Sequence, residues 1–238
     1  MNHYKSSSEL KIQAKNKLTG KYGTAILVIF LAEAISLFAV NILSFMIPAN
    51  AAGFVISLLV SLAVSVVTGV FNAGIALFFL NAACDQPFAL SDLFYGFREH
   101  SNKCLAVSAV LSLVNFICLT PYQVFSSFYL NTLNLNWMMA AMLAMAIGLV
   151  IYVPLSLALS QSFYLILDYP NLSALETLKM SIRVMKGHKI RLFYIQVSFL
   201  PLMILSVFTC CVGFLWVIPY MQMTMTFFFL DLMNPGQR

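Results

Sequence analysis

Met185 to Phe193 reads MKGHKIRLF, setting Lys186, His188, Lys189 and Arg191 within nine positions of a chain that is otherwise mostly apolar. Two ammonium groups and a guanidinium this close together can neutralise phosphate, and an imidazole between them could move a proton near neutral pH. No partner at catalytic spacing from His188 is visible. The favoured reading is therefore contact with lipid headgroups or with the cytoplasmic surface by Lys186, Gly187, His188, Lys189 and Arg191.

Glu33 is the second residue with chemical potential, because it stands inside an apolar stretch where an ionised acid costs ~2.5 kcal/mol or more. Proton or cation coupling is one reading. The favoured one is a neutral carboxyl hydrogen-bonded to an amide of another helix: Asn72, Asn115, Gln161, Gln196 or Gln222. Those amides are themselves read as interhelical bonds before ligands. A third pattern is Gly53, Ser57, Ser61, Ser65, Gly69 and Ala73, which recur every four residues. Small side chains on one helix face let two backbones approach in lipid, so helix packing is preferred to a polar permeation path.

Enzyme templates fail: there is no H-E-x-x-H, no G-x-x-x-x-G-K-[ST] and no G-x-S-x-G. The five cysteines, Cys84, Cys104, Cys118, Cys210 and Cys211, include no C-x-x-C pair and no histidine at metal-ligand spacing. No catalytic residue, metal or cofactor is expected. The formal charge of +5 is divided among segments that flank apolar stretches, which points to anionic headgroups and away from nucleic acid.

The elements that must position these residues are membrane helices. Of 238 residues, 61% are hydrophobic and 9% charged, with mean hydropathy +0.91; a soluble domain carries roughly a quarter charged residues. Continuous apolar runs of about 20 residues match a hydrocarbon core ~30 Å thick. The spacing predicts spans at about 24–47, 53–80, 104–130, 137–167, 192–211 and 213–232, with polar segments at 81–103 and 168–191, all in one membrane domain over 1–238. Residues 1–23 form a basic amphipathic segment. Ser6 and Glu9 have capping-box spacing, and Leu10, Ala14, Leu18 and Tyr22 recur every four residues, so a short helix lying on the membrane surface is expected. Ala49-Asn50-Ala51 imitates a signal-peptidase site, yet the preceding apolar run exceeds the 7–15 residues of a signal peptide, so an uncleaved first span is read.

Ser173 and Glu176 make a second capping box, and Leu175, Leu178, Ile182 and Met185 trace one face of the helix that follows, which Gly187 is placed to stop. Asp92 to Glu99, DLFYGFRE, is expected at headgroup level, and Pro121, Pro154, Pro201 and Pro219 are expected to kink their spans. Trp216 and Tyr220, four apart, are read as belt or packing residues. Lysine and arginine occur before span one, between spans two and three, between four and five, and after span six, and nowhere else. Positive charge stays inside, so both termini are expected to be cytoplasmic, with the six spans forming three hairpins.

LKIQAKNKLTGKYGTAILV, DLFYGFR, and above all DYPNLSALETLKMSIRVMKGHKIRLF followed by FLWVIPYMQMT, resemble a bacterial integral membrane family catalogued as domain of unknown function 975. Asp168, Pro170, Ser181, Met185, Gly187, His188, Lys189, Phe193, Trp216, Pro219 and Tyr220 carry the resemblance most sharply. The chain departs from the family pattern at Pro154-Leu155, where a Pro-Gly pair is usual, and at the aromatic run Phe227 to Phe229. The resemblance implies six membrane helices and supplies no catalytic residues. The expected fold is thus all-α and polytopic, with short amphipathic cytoplasmic helices, in a bacterial cytoplasmic membrane. The expected role is a lipid-associated or accessory component, with a small-solute transporter or export component as the alternative. A lipid-modifying enzyme using Asp168 or His188 is weaker still. Its partners would be the bilayer, a second copy or another membrane protein.

Overall fold

The computed structural model of the chain describes residues 4–48 and 50–234, which form helices and turns with no strand among them. A short helix, α1 (Ser7–Leu18), precedes six stretches long and apolar enough to cross a membrane. Span one is α2 (Tyr22–Phe45), and span two is α3 (Ala51–Gly69) continued by α4 (Phe71–Ala83). A 3-10 turn at Leu90–Phe94 and the single turn α5 (Tyr95–Arg98) lead to span three, α6 (Ser101–Thr132). Span four is α7 (Leu135–Leu159) with α8 (Ser162–Asp168). The connecting α9 (Ala174–Val184) leads to span five, α10 (Lys189–Val197) with α11 (Leu200–Phe208), and α12 (Phe214–Met233) is span six. The chain is a multi-pass, all-α membrane protein, as its apolar periodicity requires. Two residues of the sequence argument, Ala49 of the imitation cleavage site and Arg238, lie outside the described residues.

Both capping boxes close. The Glu9 N–H donates to Ser6 Oγ, and the Glu9 carboxylate accepts from Ser6 N–H at 2.6 Å; Glu176 and Ser173 repeat the arrangement at the start of α9. These bonds to the ionised form hold both carboxyls below the ordinary glutamate value.

Three spans are interrupted, and proline accounts for one interruption only. Pro121, Pro154 and Pro219 lie inside helices that run on through them. Pro201 follows the Ser198-Phe199 break of span five, where the Ser198 carbonyl accepts Lys11 Nζ at 3.1 Å. In span two the Val70 N–H turns to the Val67 carbonyl, and Ser108 of α6 donates to the Val66 carbonyl at 2.7 Å. A partner helix thus supplies the donor that the break removes. Span four breaks at Ser160 and Gln161.

These breaks separate two zones. On the far side, α2, α3, α6, α7 and α11 expose large apolar side chains such as Phe38, Leu59, Leu130, Leu143 and Phe208. On the near side, α4, α8 and the second half of α12 are largely buried in protein. The segment Leu90–Arg98 runs back along α4: the Leu93 carbonyl covers Gly74, Phe94 and Phe97 meet Phe71 edge-on, and a Cβ on Gly96 would lie 2.7 Å from Val70. Gly96 therefore stands against the span-two break, and the charged Arg98 and Glu99 that follow it are exposed. At about 1.5 Å per residue, α6 is about 48 Å long and outruns a hydrocarbon core of ~30 Å. Leu93 and Gly96 are buried against α4, so DLFYGFRE is partly folded into the protein where a headgroup position was expected.

α1 also departs from its expected place. Leu10, Ala14 and Leu18 are covered by protein: Leu10 joins Met185, Leu192, Phe199 and Phe228, while Ala14 and Leu18 join Phe78, Phe79 and Met223. Its apolar stripe is turned onto α12, α10 and α4, not onto lipid. The polar side then ties the helix down, with Lys17 and Lys21 on Asp85 and Lys11 over the Phe199 ring. An apolar stripe shows that a surface will be buried; it does not say by what.

Candidate functional site

The basic motif begins at the end of α9. Gly187 takes φ +88°, a left-handed conformation, and a Cβ there would meet nothing within 4 Å. Backbone freedom, and not space, is what the position requires. The turn presents His188 edge-on to Tyr4, with ring centroids 4.6 Å apart. Burial and the neighbouring Arg191 hold the imidazole pKa below its ordinary value, against an opposing pull from Asp231.

Arg191 is an internal residue. Its Nη2 donates to Asp231 Oδ2 at 2.5 Å and to the Lys5 carbonyl at 2.6 Å, while the Lys5 N–H reaches both Asp231 oxygens at 3.3 Å. The guanidinium lies over Tyr4 and Phe228, and its Nη1 is buried without a partner. Side-chain exposure is 20% for Arg191 and 4% for Asp231, so this pair is a lock between α10, α12 and the segment before α1. Sequence reasoning missed Asp231. The rule that singled out Glu33, an acid within an apolar span, applies equally to it.

The remaining cations divide in two. Lys11, Lys17, Lys21 and Lys103 are held by Ser198, Asp85 and Pro170. Among the described residues, Lys5, Lys15, Arg98, Lys179, Arg183, Lys186 and Lys189 have no ion-pair partner, and Lys179 and Arg183 on α9 and Lys186 just past its end stand exposed. On α9, Thr177, Leu178, Ser181 and Met185 are the buried face, with the Ser181 hydroxyl donating to the Ala158 carbonyl at 2.8 Å. Leu175 and Ile182, expected on that face, are 67% and 48% exposed and alternate with Lys179, Arg183 and Lys186. Ile190 and Tyr194 of α10 are exposed as well.

Glu33 is exposed in a small groove of about 160 Å³, between α2 and the start of α12, beside Phe30, Phe214 and Pro219. None of the five candidate amides bonds to it. Gln161 is fully buried, with Nε2 donating to Ser160 and Oε1 lacking a partner. The small-residue series is divided. Gly53 is buried, a Cβ on Gly69 would collide with Ser108 of α6, and Ala73 is buried, whereas Ser61 and Ser65 are exposed and donate to their own helix carbonyls.

A cavity of about 300 Å³ opens beside the span-four break, lined by residues of α4, α6, α7, α8 and α12 that include Asn72, Tyr152, Ser156, Ser160 and Gln222. A second void of about 270 Å³ shares Asn72, Leu111 and Phe163 with it and adds Asn115. Its lining carries hydrogen-bonding groups and no charge.

A family model described as a protein of unknown function (DUF975) matches residues 1–235. No curated protein and no solved structure matches the chain.

Proposed function

The chain belongs to the DUF975 family, whose biochemical role is unassigned, and from that premise we propose that it is a lipid-associated accessory protein of the bacterial cytoplasmic membrane, with both termini and the basic end facing the cytoplasm. The observation that carries this reading is the outward surface of α9. Its inner face is satisfied by protein, yet Leu175 and Ile182 stand exposed among Lys179, Arg183 and Lys186. Water suits the cations and not the leucine and isoleucine, and hydrocarbon suits the reverse. The headgroup layer of an anionic leaflet suits both, at about 1 kcal/mol per basic residue near the surface.

The functional contacts are accordingly Lys179, Arg183, Lys186 and Lys189, with Gly187 and His188 shaping the turn and Arg191 holding the fold. Replacing those four cations by Gln is expected to reduce retention of phosphatidylglycerol by the purified protein at least tenfold, in a salt-dependent manner, with the thermal midpoint unchanged. Unaltered retention would remove the headgroup reading. A small-solute transporter is the second reading, favoured by interrupted spans around a polar void; proteoliposome flux under a proton gradient, compared with Glu33→Gln, tests it.

A further inference from the structure

The cavity beside the span-four break is independent of the α9 surface. Asn72, Asn115, Tyr152 and Gln222 come from four different spans and line this cavity and its adjoining void; Asn72 and Asn115 are exposed, Tyr152 and Gln222 half-buried, and no hydrogen bond links any of their side chains to another described residue. On membrane-spanning helices, three amides and a phenol open to the surroundings find no hydrogen-bonding partner in hydrocarbon, so water or a polar ligand is their suitable contact. Behind the wall, fully buried Gln161 donates its Nε2 to Ser160 Oγ, and its Oε1 has no partner. Such convergence is accounted for if the partner is a ligand with water.

The lining narrows the ligand's chemistry. Among its residues are no Asp, Glu, Lys, Arg or His, so an ion would enter without a counter-charge. Amides both donate and accept, which matches hydroxyl groups that do the same. Tyr152 and Phe163 supply flat apolar surface beside them. We infer that this cavity binds a neutral polyhydroxyl group, the hexose of a free sugar or of a glycolipid headgroup.

The test uses the full chain in phosphatidylglycerol nanodiscs, with Ser156→Cys as reporter, a neutral water-soluble thiol reagent, and mass spectrometry to read modification at position 156 against native Cys84. Modification within tenfold of the Cys84 rate is expected, slowed at least fivefold either by millimolar glucose or by diglucosyldiacylglycerol included in the disc. Protection by glucose assigns a soluble sugar, and protection by the glycolipid alone assigns a headgroup. An unreactive position 156 means a dry cavity and overturns the inference, as does reaction that neither compound slows. In a second variant carrying Asn72→Leu and Gln222→Leu, protection should be lost; its persistence would also overturn the inference. None of these outcomes depends on the α9 cations, which are unchanged throughout.

Discussion

At the scale of residues, a basic motif that reads as one surface holds groups with opposite fates. Lys186 is exposed, while Arg191, five positions on, is consumed by Asp231 and by the Lys5 backbone. Removing Arg191 leaves the Asp231 carboxylate as a buried charge without its counter-ion. Arg191→Ala is therefore expected to destabilise by about 3 kcal/mol or more, while Arg191→Met combined with Asp231→Leu recovers most of the loss. Reversible unfolding in mixed micelles measures both; if Arg191→Ala instead weakens lipid retention and leaves stability intact, the lock is misassigned. The sequence showed that Gly187 stops a helix, and it set the expectation that the basic residues lie at a membrane face. It did not show which cations are free, because that depends on Asp231, 40 residues away, and on a backbone carbonyl that has no side-chain signature.

At the scale of elements, the spans and both capping boxes were legible because periodicity and local caps are properties of neighbouring residues. The interruptions were not. Proline was the expected cause, yet three of the four prolines sit in continuous helix, while span two breaks at Val70 where a hydroxyl from another helix takes over a carbonyl. Such a break is visible only once Ser108 and Gly69 are known to touch. Gly69→Val is expected to lower stability by about 1–3 kcal/mol through overpacking, and adding Ser108→Gly should recover part of that. Thermal unfolding of the single and double variants reads the coupling; strictly additive losses would mean that the two helices do not meet there. The cavity follows the same logic. Its amides were individually recognisable, but their assembly from three spans, with Tyr152 from a fourth, was not.

At the scale of the molecule, the lipid-facing outer helices and the self-packed basic end give the protein two different ends, and the proposed orientation puts the packed end inside the cell. Native Cys84 is exposed at that end, and Asn136 is exposed at the other. An impermeant maleimide applied to intact cells should modify Asn136→Cys and spare Cys84 until the membrane is opened; the reverse pattern would invert the topology and remove the cytoplasmic lipid reading with it. The docking of α1 has a further consequence, in time. Leu10 packs against Phe228 and the Lys5 backbone waits for Asp231, partners 226 positions apart in the case of Lys5. A ribosome adding roughly 5–20 residues per second delivers the second partner more than ten seconds after the first. Ala14 and Leu18 can meet Phe78 and Phe79 of span two early in synthesis, whereas the cover that Phe228 gives Leu10 comes only with the last span. The docking of α1 is thus completed from its C-terminal half to its N-terminal half, and the last span to be made closes it.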